Sequence, residues 1–369
     1  MKSIFFLLLF VNMSAVEILQ GQDPFFLQAQ QIRGYLNPAL TGMNGVFTLK
    51  VLNKNQFYNQ SDFNTQAVSA EWSVPCYRID FGGYYLHDVE GDGRLRTQQL
   101  GGTFVYSVSP SKSKKYRQNI RMGIGSAYTR KSIDWSKLNF SDQFDKKYGL
   151  QPITAFVSPD HNAINIVELN AGVVYTALYK KSIAFTIGGS FTNGQQILGD
   201  SGHNSLLGLG QPNRFDKISF YVNSDLTLFR FNQGPIVLQP SLIIQRQNQL
   251  QNTQIGARIK SDYRVNVGTF LSIADFEEIS NDLRVLTFEV GVGLLRNTKN
   301  EINVTLQYGF NVGALSNNFG DNYQITATYL MNQNSCGPIT ISRTDCYKFI
   351  DGEILYEDAF FIPIEGIDK

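Results

Sequence analysis

The sequence predicts an all-β chain: an antiparallel transmembrane β-barrel of about fourteen strands, with an N-terminal plug or collar segment and a C-terminal periplasmic extension. Three observations carry this. Apolar and polar side chains alternate with a period of two from Gly45 onward, the chain opens with an export signal, and no apolar run after Val11 is long enough to cross a bilayer as a helix. In lipid only helices and closed barrels satisfy every backbone group, so an exported chain without a spanning helix enters a membrane as a barrel.

The export signal consists of Lys2, a short positive region, followed by the eight apolar residues Ile4 to Val11. A spanning helix would need ~20. Cleavage after Ala15 or Gly21 fits the small-residue rule, and the second site leaves Gln22 as the new terminus. The expected division is a signal peptide (1–21), a plug or collar (22–44), the barrel (45–331) and an extension (332–369). Composition agrees: 18 Tyr, 27 Phe and 32 Gly stand beside only 17% charged residues, as expected when one strand face meets lipid and the other meets water. The net charge is +1, and the one dense basic cluster is Ser111 to Arg117. This argues against nucleic acid as a partner, which requires a basic face.

Ile302 to Val312 alternates most cleanly. Ile302, Val304, Leu306, Tyr308, Phe310 and Val312 share one face, and Asn303, Thr305, Gln307, Gly309 and Asn311 share the other. The pattern recurs in 120–128, 167–175, 183–187, 218–228, 265–271, 286–294 and 323–329. It is weaker in 45–52, 65–74, 77–87, 100–109, 236–246 and 253–260. An even strand number puts both termini on the periplasmic side, and connections after odd-numbered strands are then external. The longer connections 130–162, 193–215 and 274–284 follow the fifth, seventh and eleventh strands. Gly123, Gly125, Gly291 and Gly293 take the polar phase, which implies an interior where neighbouring side chains or a plug need room. Tyr128, Tyr175, Phe310 and Tyr329 lie near strand ends, where interfacial girdles sit. A soluble exported β-protein also alternates, but the signal peptide, the girdle and the number of strands favour the outer membrane of a Gram-negative bacterium.

The stretch QDPFFLQAQQIRGYLNPALTG follows the signal. With Gln22, Asp23, Pro24, Phe26, Gln28, Asn37, Pro38, Ala39 and Gly42 it resembles the opening of the PorP/SprF family of type IX secretion system membrane proteins. LNFSDQFDKKYG is similar to a second family element through Phe140, Asp142, Gln143, Asp145 and Gly149. A weaker likeness lies in Gln211 to Phe215. Two features depart from the family: Lys54-Asn55-Gln56-Phe57 stands where relatives often have Arg-x-Gln-Trp, and a tail extends beyond Met331. The resemblance implies a non-enzymatic outer-membrane component that supports secretion and surface anchoring of cargo, including adhesins of gliding motility. Its implied partners are outer-membrane lipid, the C-terminal domain of a secreted cargo protein at the external loop, and periplasmic type IX secretion components at the Gln22 to Gly42 element. The alternative function is a porin or small-solute channel.

Proline restrains its own φ and that of the residue before it, so Asp23-Pro24 and Asn37-Pro38 are expected to fix extended or turn geometry. Gly42 permits a tight entry to the first strand. The element either closes the barrel floor or binds a partner. No nucleophile elbow, P-loop or dinucleotide fingerprint is present, and His87, His161 and His203 share no metal-ligand spacing. No cofactor, metal or catalytic residue is therefore expected. HDVEGDG, at His87 to Gly93, reads as a polar hairpin turn ahead of a calcium loop. Cys336 and Cys346 are favoured as a disulfide, which would contribute about 3 kcal/mol by loop closure; as free thiols they would be ordinary buried residues. The acidic and aromatic tail suits either a periplasmic docking segment or a loose extension.

Overall fold

In the computed structural model the alternation becomes fourteen antiparallel strands closed into one barrel. The strands are β1 (Phe47–Gln56), β2 (Phe63–Val74), β3 (Ile79–Glu90), β4 (Leu95–Val108), β5 (Tyr116–Ser132), β6 (Ala163–Tyr179) and β7 (Ile183–Gln196). They continue as β8 (Arg214–Phe231), β9 (Gly234–Gln247), β10 (Leu250–Ser261), β11 (Val265–Phe276), β12 (Ile279–Arg296), β13 (Asn300–Asn311) and β14 (Asn322–Met331). The structure describes residues 26–56, 63–74, 77–91, 95–108, 116–145, 147, 149–151, 154–157, 162–179, 183–196, 214–231, 234–247, 250–261, 265–276, 279–296, 300–312, 320–331, 349–350 and 353–354. Each strand pairs with its sequence neighbours, and β1 closes the ring on β14 from Phe47↔Met331 to Asn55↔Tyr323. Closure pairs every barrel strand on both sides and leaves no strand edge to lipid.

The pleat separates two environments. On β13, Leu306, Tyr308 and Phe310 face outward, while Gln307 and Asn311 are buried toward the lumen. On β4 the outward set is Leu100, Phe104 and Tyr106 and the inward set is Thr97, Gln99 and Thr103. The outward apolar side chains form the lipid-facing band. Aromatic rings cross it near the end where the chain enters β1: Phe47 meets Trp72 edge-on at 6.1 Å, and Trp72 lies 5.8 Å from Phe81. A β-bulge interrupts the pairing of β8 between Thr227 and Phe229, so the successive residues Leu228 and Phe229 both face outward.

The first barrel strand begins and the last one ends at the same rim, where Phe47 pairs with Met331. The opposite rim carries the connections from β5 to β6 and from β7 to β8. By the rule of short periplasmic turns and longer extracellular loops, that rim is external. One expected long loop is corrected: 274–284 is mostly strand, because β11 runs to Phe276 and β12 begins at Ile279. Polar composition there does not end the strands, because beyond the bilayer a strand needs no apolar outer face. At 17 residues each, β5 and β6 likewise exceed the ~10 residues that cross a bilayer. His87 to Gly91 forms the end of β3 and a turn, with Gly91 at φ 66°, as expected of a polar hairpin.

Candidate functional site

Residues 26–46 lie inside the barrel and are buried along their length except for a half-buried Gln30. The segment has little regular structure: a 3-10 turn at Ala29–Gln31, a single α-helical turn at Arg33–Leu36 and a second 3-10 turn at Pro38–Leu40. Its backbone therefore leaves many groups to be satisfied by side chains of the wall. At the start, Leu27 N donates to Gln324 Oε1 at 3.1 Å and Ala29 N to Gln254 Oε1 at 3.2 Å, while Gln254 Nε2 donates to Leu27 O. Gln28 Oε1 accepts from Arg258 at 2.7 Å and Gln307 at 3.1 Å. Both donors are also bonded to Glu289, which is fully buried. These partners come from β10, β12, β13 and β14.

The other half of the segment binds the opposite wall. Asn37 has extended backbone, φ −157° and ψ 121°, as the following proline requires; its Oδ1 accepts from Ala39 N at 2.9 Å and caps the turn. Its Nδ2 donates to Gly189 O at 3.1 Å, and Ser190 Oγ donates to Leu36 O at 2.9 Å. The wall recedes where this turn sits. A Cβ added to Gly172 would lie 2.0 Å from Asn37 Oδ1, and one on Gly123 would lie 2.3 Å from Ala39 N. Of the glycines read from the sequence on β5, Gly123 is thus a notch for the Asn-Pro-Ala turn, whereas the space beside Gly125 is filled by the wall residue Asn170. On β12 the space beside Gly291 is filled by the wall residue Asn266.

Arg121 on β5 ties the exit of the segment. Its guanidinium donates to Ala39 O at 2.9 Å and to Thr41 O, and pairs with Asp80 at 2.9 Å. Both side chains are almost fully buried, so neither charge is tolerable without the other. Gly42, at φ 71°, packs against Asp80 with no room for a side chain and donates its N–H to Glu71 at 2.8 Å. Two apolar clusters complete the seat. Phe26, Ile32 and Tyr35 pack with Leu52, Ala67, Tyr84, Leu86 and Ala127, and Ala29, Leu36, Ala39, Leu40 and Met43 pack with Val174, Tyr221 and Ile243. Lys217 Nζ lies 3.5 Å over the Tyr35 ring.

The external connection after β5 is locally folded. Phe140 stacks on Phe156 at 4.2 Å, with Trp135 5.4 Å from the same ring. Asp142 accepts from Ala155 N at 2.6 Å and Thr154 Oγ1 at 2.9 Å; the backbone bond first and the hydroxyl second hold its carboxyl below the usual carboxylate range. Gln143 Oε1 accepts from Phe140 N at 2.8 Å, and Gln143 O accepts from Gln151 N at 2.7 Å. Phe144–Asp145 pairs with Gly149–Leu150, with Gly149 at φ 72°. The family-like residues here hold the loop's shape, and Phe144 (61%), Leu150 (51%) and Val157 (85%) remain exposed.

Of the sequence-derived candidates, Phe26, Gln28, Asn37, Pro38, Ala39 and Gly42 come together in the lumen, and Phe140, Asp142, Gln143, Asp145 and Gly149 in the external loop. Gln22, Asp23, Pro24, Cys336 and Cys346 lie outside the described residues, as does most of the tail. Sequence reasoning placed Gln307 on the inward face of its strand without a role, and missed the wall residues Glu71, Asp80, Arg121, Gln254, Arg258, Glu289 and Gln324. Their signal was a long polar or charged side chain in the inward phase of a strand.

Among solved structures the chain is similar to the CymD monoaromatic hydrocarbon channel, at 10% identity and TM-score 0.45, covering 84% of this chain and 94% of that one. It is also similar to the Pseudomonas putida toluene transporter TodX, at 11% identity and TM-score 0.41, covering 82% and 94%. A Pseudomonas aeruginosa FadL homologue gives 9% identity and TM-score 0.40, covering 80% and 92%. A search of curated protein sequences returns no match. The profile of the family described as type IX secretion system membrane protein PorP/SprF matches residues 18–329, an interval that takes in both the lumenal segment and the external loop. With the closed fourteen-strand barrel it places the protein in a Gram-negative outer membrane, and the chain belongs to the PorP/SprF family of type IX secretion system membrane proteins.

Proposed function

We propose that this barrel is a sealed anchor of the type IX secretion system. It holds exported cargo, such as a gliding adhesin, at the cell surface, and the lumenal segment closes its pore. The observation that carries the reading is the seating of residues 26–46, which engage inward side chains on both sides of the ring. A wall bonded across the ring to its own chain makes a rigid platform whose lumen is occupied by residues 26–46. Phe144, Leu150 and Val157 on the prefolded external loop offer the apolar contact for a cargo C-terminal domain, and the rim where β1 begins and β14 ends is where periplasmic secretion components would engage.

The test is surface display of a type IX cargo in cells whose barrel lacks residues 135–157, with barrel integrity checked by heat-modifiable mobility. Cargo released to the medium at least tenfold more than from the parent supports anchoring through the loop. Undiminished display overturns that role. Steady conductance of the intact protein in planar bilayers would instead favour a small-solute channel.

A further inference from the structure

The outward face carries a polar belt at its external rim, and the charges on that belt are uneven. Across five strands the register sets Gln66 opposite His87, His87 opposite Gln98, Gln98 opposite Arg130 and Arg130 opposite Asn165. One outward position further from the membrane, Arg96 stands opposite Ser132. Arg96 and Arg130 are therefore diagonal neighbours on adjacent strands, about 7–8 Å apart at the backbone, a span that lets two guanidinium groups grip one phosphate. One outward position toward the membrane, the same strands present Val68, Tyr85, Leu100, Tyr128 and Val167 in an unbroken row.

Among the described outward residues of this sector, three cations, Arg96, Arg130 and Lys137, stand against one acid, Asp134. Asp134 accepts from Ser136 Oγ at 2.6 Å and lies 3.9 Å from Lys137. The Arg130 side chain has no hydrogen-bond or ion-pair partner among the described residues, and the buried His87 Nδ1 has no hydrogen bond among them. Acids occupy other sectors of the belt: Asp216, which accepts from Asn193, and Asp275, opposite Gln251.

We propose that the β3–β5 sector of the external rim binds the phosphate groups of an anionic outer-leaflet glycolipid. Arg96 and Arg130 are the phosphate ligands, Gln98 supplies a further hydrogen bond to the headgroup, and the Tyr85–Leu100–Tyr128 row receives the acyl chains. Charge complementarity and continuity with the lipid-facing band identify the occupant: cations stand directly above an apolar row, matching a phosphate above hydrocarbon.

The test uses the full protein extracted from outer membranes in mild detergent, with bound glycolipid counted by native mass spectrometry. The wild type should retain phosphorylated glycolipid. The double variant Arg96→Gln, Arg130→Gln should retain at least tenfold less, and Arg284→Gln, on β12 at the same rim, should match the wild type. Heat-modifiable mobility confirms that each barrel is folded. Delipidated wild type should rebind purified glycolipid but not its enzymatically dephosphorylated form. Equal retention by the double variant, phosphate-independent rebinding, or displacement of the lipid by millimolar inorganic phosphate would each overturn the proposal.

Discussion

Asn37 shows how much one residue can decide. It sits before a proline, caps the next turn with its Oδ1, reaches Gly189 with its Nδ2, and fills space that Gly172 leaves open. Gly172→Ala would press a methyl group onto that side chain, so the turn must shift; the expected destabilisation is about 1–3 kcal/mol, the usual cost of overpacking, read from the urea midpoint of the reconstituted barrel. Arg121→Met should cost more, about 3–5 kcal/mol on the same assay, because it leaves buried Asp80 without its counter-charge. Outside the membrane, the carboxyl of Asp142 is held below its usual range by Ala155 N–H and Thr154. A depressed folded value contributes stability above the ordinary carboxylate range, about pH 4, and loses it as pH falls through the folded value. With Trp72 replaced by Phe, Trp135 fluorescence should be constant from about pH 8 to 5 and change only in stronger acid. Asp142→Asn should bring that changed signal to neutral pH; an Asp142→Asn loop indistinguishable from the parent at pH 7 would refute the role.

The functional elements are the least regular ones. A segment of three short turns cannot satisfy its own backbone, so its order depends on wall side chains such as Gln254 and Arg121. Deleting residues 26–42 should leave the fourteen strands closed and raise single-channel conductance by at least an order of magnitude, whereas an unchanged conductance would show that the segment is not the seal. The external loop is ordered differently, through an aromatic stack and Asp142 within the loop itself, so its loss should leave the barrel intact. The sequence made the loop's position legible through its polar composition and its place after the fifth strand. It misjudged 274–284 for the same reason, since polar residues also suit strands that rise above the bilayer.

At the scale of the whole molecule, closure sets orientation. Phe47 opposite Met331 puts the start of β1 and the end of β14 at one rim. In a background lacking the native cysteines, Ser136→Cys should react with a membrane-impermeant thiol reagent on intact cells and Tyr77→Cys should not; the reverse would invert the barrel. The sequence by itself determined the architecture, because period-two alternation assigns each side chain to lipid or lumen and fourteen such segments can satisfy their backbones in a membrane only by closing. It also marked the Asn-Pro-Ala turn and the glycine phase, which are local signals. Only the tertiary structure decided that Gly123 and Gly172 face that turn, that Gln28 meets Arg258 and Gln307, and that Arg96 stands beside Arg130. Alternation fixes the face a residue takes but not its neighbours, which depend on strand register and on how the ring closes.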